Sequence, residues 1–460
     1  MIRFRPPPLR AADDRTTSAA KITLRQSIYP LALVTILFAY GLLDVLNKHF
    51  QNTLNITRSR SAGLQAAYFG AYPVASLTYA GWVLRKFGYR ATFIMGLVMY
   101  GVGALLFWPS AHYRSFGGFC GATFVIGSGL GTLETAANPY LAVCGPPKYS
   151  EIRLNIAQAL NGVGTVVGPV LASYVFFKDV NDDDLTNVQY VYLAIALFVF
   201  ILAVVFLYSN IPEITDADMQ QQADDSGNYT EHQDKSIWQH KLLWWAVAAQ
   251  FCYVGAQVGV ASSFVNYATE VSGKSASDGA SFFAVAQGLF TIGRFSGSFL
   301  MKFIRPRKVF LVYFTMVIVF SAASIGARGD AGLAMMMLVL FFESICFPTI
   351  FTLGLRGLGR HTKKGASYIV ASLIGAAIVP PILLATADYF DDTGRAQFIN
   401  TIFFVVGVTF AFGVNFHKGT KALVDGFSDS KVGLEGKDPE AGMRKERQTE
   451  ARGGEEKIRR

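Results

Sequence analysis

The sequence predicts an all-α membrane protein of twelve transmembrane helices, arranged as two parallel six-helix repeats. Three observations predict it: a composition too apolar for water, about twelve apolar runs of spanning length, and landmarks shared by the two halves. Of 460 residues, 52% are hydrophobic and only 16% are charged, with a mean hydropathy of +0.34. A soluble domain carries about 25% charged residues. The 38 Phe and 44 Gly also suit lipid, and four Cys are too few for a disulfide scaffold. The net charge of +9 belongs beside a membrane, since no basic, aromatic-interleaved patch for nucleic acid sits on a polar domain.

A membrane helix needs roughly 20 mostly apolar residues. Runs of this kind have cores at 29–47, 62–84, 91–109, 115–143, 152–177, 188–209, 241–267, 276–303, 308–327, 332–355, 365–388 and 396–416. The first run follows a basic stretch and has no small-residue cleavage site after it, so it reads as a helix and not a signal peptide. The acidic, Gln-rich stretch between runs six and seven divides the chain. The divisions are an N-terminal tail 1–25, a six-helix bundle 26–210, a linker 211–240, a second bundle 241–416 and a C-terminal tail 417–460. The linker and the C-terminal tail have the composition of disordered segments.

Orientation follows from basic residues in short loops. One alternating set holds Arg85, Lys86 and Arg90, then Lys148 and Arg153, then Lys302, Arg305, Arg307 and Lys308, then Arg356, Arg360, Lys363 and Lys364. The opposite loops are poorer in base and collect acid at 179–184 and 388–392. Both termini and the linker are therefore expected in the cytoplasm of a multi-pass plasma-membrane protein. Asn55 opens the sequon Asn55-Ile56-Thr57 in the first outer loop, a glycosylation candidate. The sequon at Asn228 falls on the cytoplasmic side.

The halves share landmarks in the same order. Gly81 precedes Lys86 by five residues at the end of the second run, and Gly297 precedes Lys302 likewise in the eighth. Pro139 follows Glu134 by five in the fourth run, as Pro348 follows Glu343 in the tenth. Val167-Gly168-Pro169 in the fifth run answers Val379-Pro380-Pro381 in the eleventh. Parallel six-helix repeats of this kind are the arrangement of major facilitator transporters, with the substrate site between the halves near the midplane.

A charge at the bilayer centre costs about 2.5–3.5 kcal/mol on insertion scales and so requires a partner, a cavity or a function. Asp44, Glu134 and Glu343 are the candidate proton-coupling acids. Glu134 is the foremost, because no cation lies within one turn along the chain. Asp44 has Lys48 at i,i+4, and a plain ion pair is its alternative reading. Asn155, Gln158 and Asn161 line one face of the fifth run, and Gln250, Tyr253 and Gln257 one face of the seventh. Amides on one face offer the paired donors and acceptors that sugar hydroxyls need, and Tyr253 a flat surface for a sugar ring. The alternative is helix–helix bonding across the bundle. Lys86 and Arg90, with Arg294 and Lys302 in the second half, are the candidate gate cations, with membrane anchoring as the alternative.

At these residues the chain resembles the fucose–proton symporter family of the major facilitator superfamily. The matching blocks are ALLFWPSA (104–111), LETAANPY (133–140), RLNIAQALNGVG (153–164), AQFCYVGAQ (249–257), IGRFSGSFL (292–300), FPTIFTLGL (347–355) and GASYIV (365–370). The resemblance spans about 26–416. It implies twelve helices, alternating access and sugar–proton symport, with the family's essential glutamate on Glu134 and its amides on Gln158 and Asn161. Two departures stand out. Lys48 occupies the position of a second acid, with Asp44 where an amide is expected, and Arg85 replaces the acid of the superfamily's gate motif.

The expected function is proton-coupled symport of a fucose- or hexose-like monosaccharide, with export of a small organic metabolite as the alternative. The expected partners are a sugar, a proton and the lipid bilayer, and the expected state is a monomer. No nucleophile–base pair, phosphate-cradling loop or metal-ligand spacing marks an enzyme, a cofactor or a metal site.

Overall fold

The computed structural model describes residues 16–37, 58–113, 115–171, 186–225 and 236–434. Asp44, Lys48, Asn55 and Asn228 lie outside the described residues. Every regular element among the described residues is helical.

The first half comprises α1 (Leu24–Ile36), α2 (Arg58–Leu77), α3 (Tyr79–His112), α4 (Phe116–Val143), α5 (Ser150–Leu171) and α6 (Thr186–Tyr208). A short α7 (Asp216–Asp225) leads to the second half, α8 (Lys241–Glu270), α9 (Ala276–Phe303), α10 (Pro306–Gly326), α11 (Gly329–Glu343), α12 (Cys346–Leu355), α13 (Thr362–Ala371), α14 (Gly375–Phe390), α15 (Thr393–Ala396), α16 (Phe398–Phe416) and α17 (Lys418–Asp429). Among the described residues seven stretches are long and apolar enough to cross a membrane by length and composition. They match the third, fourth, seventh and ninth to twelfth apolar runs. α1, α2, α5, α6 and α9 supply the other five, so the twelve-helix architecture stands.

Large apolar side chains remain on the outside, as at Leu197, Phe198 and Ile201 of α6 and Phe299 and Phe303 of α9. Such a surface is stable against acyl chains rather than water. The second and third runs are joined inside α3 at Gly88, whose φ of 84° breaks the helix. Only glycine adopts that conformation without a Cβ penalty.

The tenth and eleventh runs are each split in two. α11 ends at Glu343 and α12 begins at Cys346, four residues before which a helix would seek hydrogen-bond partners. Pro348 has no N–H to give to the carbonyl of Ser344, so the helix loses that bond. The eleventh run breaks at a 3-10 turn, Ser372–Ile374. There Gly375 lies against the backbone of Phe251, where a Cβ would collide with the Phe251 carbonyl. Ser344 and Ile345 keep right-handed helical dihedrals, so what is lost at membrane depth is regular α-helical hydrogen bonding, which is tolerated where the backbone is buried in protein.

Within the two segments expected as disordered, the described residues include helices in 211–225 and in 417–434. In the linker, the Thr215 N–H donates to Asp218 Oδ2 and the Asp218 N–H to Thr215 Oγ1, both at 3.0 Å. This reciprocal cap nucleates α7. The Thr17 N–H and hydroxyl donate to the same Asp218 carboxylate at 2.6 and 2.8 Å. In the tail, α17 is held by Arg305 and Arg307 on Asp425, each at 2.6 Å. Composition fails to reveal either helix because long-range caps and ion pairs supply the ordering.

Candidate functional site

The site is built where α4 and α5 of the first half meet α8, α9 and the broken tenth helix of the second. Glu134 is 5% exposed. Among the described residues, Tyr72 Oη donates to its Oε1 and Asn138 Nδ2 to its Oε2, each at 3.3 Å. Asn138 lies one turn along α4, so the helix itself places the amide over the acid. The Oδ1 of Asn138 accepts from Gln158 Nε2 at 3.4 Å. Acid, amide and amide thus form one bonded row from α4 into α5.

The row continues across the molecule through main chain. Arg294 of α9 donates from Nη1 to the Gln158 carbonyl and from Nε to the Ser344 carbonyl at 3.0 Å. The second acceptor is the carbonyl that Pro348 leaves without its helical donor. Its neighbour, the Glu343 carbonyl, accepts from Tyr253 Oη at 2.7 Å. The break in the tenth helix therefore creates acceptors that Tyr253 and Arg294 satisfy, as buried carbonyls require. Glu343 itself is fully buried, and among the described residues neither of its carboxyl oxygens has a hydrogen-bond partner.

The remaining expected site residues separate into two groups. Asn161 and Gln257 are half-buried on their helix faces, and Gln158 sits in the bonded row. Asn155 is instead fully buried between the halves, donating to its own Glu151 carbonyl at 2.8 Å and to Thr349 Oγ1 at 3.4 Å. Tyr253 does not present an open ring. It is enclosed by Phe314 and Phe404, at centroid distances of 5.8 and 6.2 Å, because its face of α8 turns toward α10 and α16. Gln250 is fully buried, with neither amide atom partnered among the described residues.

The gate candidates divide as well. Arg90 is buried and donates to the Ser209 carbonyl at 3.3 Å. Arg294 bridges the halves. Lys86 and Lys302 are exposed and lie over the rings of Trp82 and Phe303, at 5.0 and 5.8 Å.

The closure of this end of the molecule, the linker face, rests on groups the sequence reading did not single out. Lys363, 1% exposed at the start of α13, reaches Glu213 at 3.3 Å and Asp216 at 3.7 Å, and lies 5.0 Å over the Tyr89 ring. Glu213 also accepts the Tyr89 N–H at 2.9 Å, capping the helix that restarts after Gly88. Burial pushes the Glu213 carboxyl up to about 7, against the opposing pull of Lys363 and of the Tyr89 N–H. The acid at this junction thus comes from the linker, while Arg85 is exposed. A second buried pair, Arg356 with Glu151 at 2.5 Å, joins α12 to α5. The signal was present in IPEIT after the sixth run and TKKG before the eleventh, but local spacing does not say that they meet.

The major facilitator superfamily model matches residues 31–380. The chain is 32% identical over 414 residues to the L-fucose-proton symporter of Escherichia coli strain K12, covering 84% of this chain and 93% of that protein. It is 32% identical over 379 residues to the glucose/galactose transporter of Brucella abortus biovar 1, covering 80% and 90%. The Escherichia coli transporter FucP, solved in the outward conformation, superposes with a TM-score of 0.73 at 32% identity, over 84% of this chain and 98% of that one. The polar row, the broken helices and these likenesses agree, and the chain belongs to the fucose–proton symporter family of the major facilitator superfamily.

Proposed function

We propose that this chain is a secondary active transporter that carries a hexose-like monosaccharide together with a proton, by alternating access. The linker face is the cytoplasmic face, as the basic loops require, and a monomer in the plasma membrane is the working unit. One observation carries the reading: the buried Glu134 carboxyl accepts from Tyr72 and Asn138 and is joined through Asn138 to Gln158. Such an acid is bonded directly into the amide row, so a change in its charge is felt at once by the amides beside it.

In the proposed cycle Glu134 takes a proton from the outer side. The sugar then binds among Gln158, Asn161 and Gln257, with Asp44 as a second candidate acid. The halves rock, Glu134 gives its proton to cytoplasmic water, and the sugar leaves. The names of the curated relatives point to L-fucose, glucose and galactose as the first substrates to try.

The test is uptake by proteoliposomes of these three sugars, with and without an imposed pH gradient. Glu134→Gln should abolish uphill uptake while sparing sugar-for-sugar exchange. Uptake that ignores the gradient, or normal accumulation by the variant, would overturn the reading.

A further inference from the structure

Glu343 and Arg294 stand beside each other in an unusual division of bonds. Arg294 is 5% exposed, with its guanidinium 4.4 Å from the centre of the Phe290 ring. Its Nε is fixed to the Ser344 carbonyl within its own half, and its Nη1 reaches across to the Gln158 carbonyl of the other half. Glu343 is the residue next to that anchor. Its carboxyl is buried, and among the described residues neither oxygen accepts a hydrogen bond. The titratable groups facing it are Arg294 from α9, Tyr253 from α8 and Cys346 from α12. Tyr253 gives its hydroxyl to the Glu343 main chain instead. The cation that faces the acid is therefore committed elsewhere.

We propose that Arg294 and Glu343 form an exchange pair: Arg294 bridges the halves while the linker face is closed, and pairs with the Glu343 carboxylate once that face opens. The inference rests on the alternating-access reading above and adds a role to it. Gln158 lies eight residues from the start of α5 and Arg294 nine from the end of α9, so both sit about 12–14 Å from the linker end at 1.5 Å per residue. Separation of the halves at that end must break the Nη1 bond. Nε stays on Ser344 and keeps the guanidinium beside residue 343. The freed arm would leave a buried donor unsatisfied, and the carboxyl is the acceptor within the same half. A neutral Glu343 is the form that tolerates burial without a donor. As the face opens and water enters, Glu343 releases its proton to that water, and its carboxylate takes the freed N–H groups. The new bond inside one half offsets the bond lost between the halves. Glu343 and Arg294 are positioning residues in this scheme and touch no sugar.

The test reads opening directly and needs no sugar. Thr352→Cys, placed on α12 at a buried position in the cavity between the halves at the linker end, reports access to that face. The four native cysteines, Cys120, Cys144, Cys252 and Cys346, are replaced by Ala. Labelling by an impermeant maleimide from the linker side should slow roughly tenfold in Glu343→Gln, the scale of losing a charge-assisted hydrogen bond. Glu343→Asp, which keeps the charge, should stay within about threefold of the parent by the same scale. If Gln prevents assembly, Glu343→Leu takes its place, since it removes the carboxyl without leaving a polar group buried. Parental labelling in the Gln or Leu chain overturns the proposal, as does equal slowing by Asp. If the parent itself never labels, the alternating-access reading fails instead, so the two failures are distinct.

Discussion

Asn138 donates to Glu134 from one turn along the same helix, at 3.3 Å, while its carbonyl oxygen is held by Gln158 of the next helix. The proton-bearing candidate and the sugar-facing candidate therefore share one intermediary. A hydrogen bond to a charged group contributes about 1.5–3 kcal/mol, or roughly 10- to 100-fold. Asn138→Ala should lower uphill sugar uptake by about tenfold or more. It should also weaken sugar binding, since Gln158 loses its acceptor. Uptake and equilibrium binding measured on the same preparation check both effects, and a loss of neither would separate Glu134 from the amides.

The Glu213 latch makes closure of the linker face depend on pH. In the closed state burial holds its carboxyl up at about 7. In the open state it meets water and titrates near the ordinary value of about 4.3. The closed state therefore binds the proton more tightly, and closure is favoured as pH falls from about 7 toward 4.3 and loses that advantage above 7. Labelling of Thr352→Cys should slow as linker-side pH is lowered through this window, and Glu213→Gln should flatten the response that belongs to the latch. An identical pH profile in the variant would remove Glu213 from the closure.

Arg356 and Glu151 form a cross-half pair with side chains 4% and 0% exposed. Removing one member of a buried pair costs about 3–5 kcal/mol, because the other charge is left without compensation. Arg356→Met and Glu151→Met should each lower thermal stability and favour an open linker face, and the double variant should recover much of the loss. A double-mutant cycle on the melting temperature measures the coupling. Additive losses would show that the two side chains act independently.

Gly88 has a φ of 84°, and a Cβ there would collide with the Glu213 carboxyl. A left-handed backbone costs an L-residue about 1–2 kcal/mol before any collision is counted. Gly88→Ala should therefore lower the melting temperature and loosen the latch, while Gly70→Ala, with nothing within 4 Å of the added methyl, should cost far less. Equal effects at the two positions would mean that the contact with Glu213 is not tight.

The sequence by itself determined the class, the twelve runs, the repeat and the burial of Glu134 and Glu343. These are local properties: hydrophobic length, and a charge surrounded by apolar neighbours along one helix. It also put Gln158 with the candidate acid Glu134 through the resemblance of its blocks, and the structure joins the two through Asn138. What tertiary structure alone decided is which groups meet. Asn155 and Tyr253 share helical faces with Gln158 and Gln257, yet one is used between the halves and the other is enclosed by Phe314 and Phe404. Lys363 lies 150 residues from Glu213, and Arg294 lies 136 from Gln158. Periodicity fixes the face a side chain takes on its own helix, but the partner across that face depends on how the helices cross. That crossing is set by the packing of the whole bundle, which no local window of sequence contains.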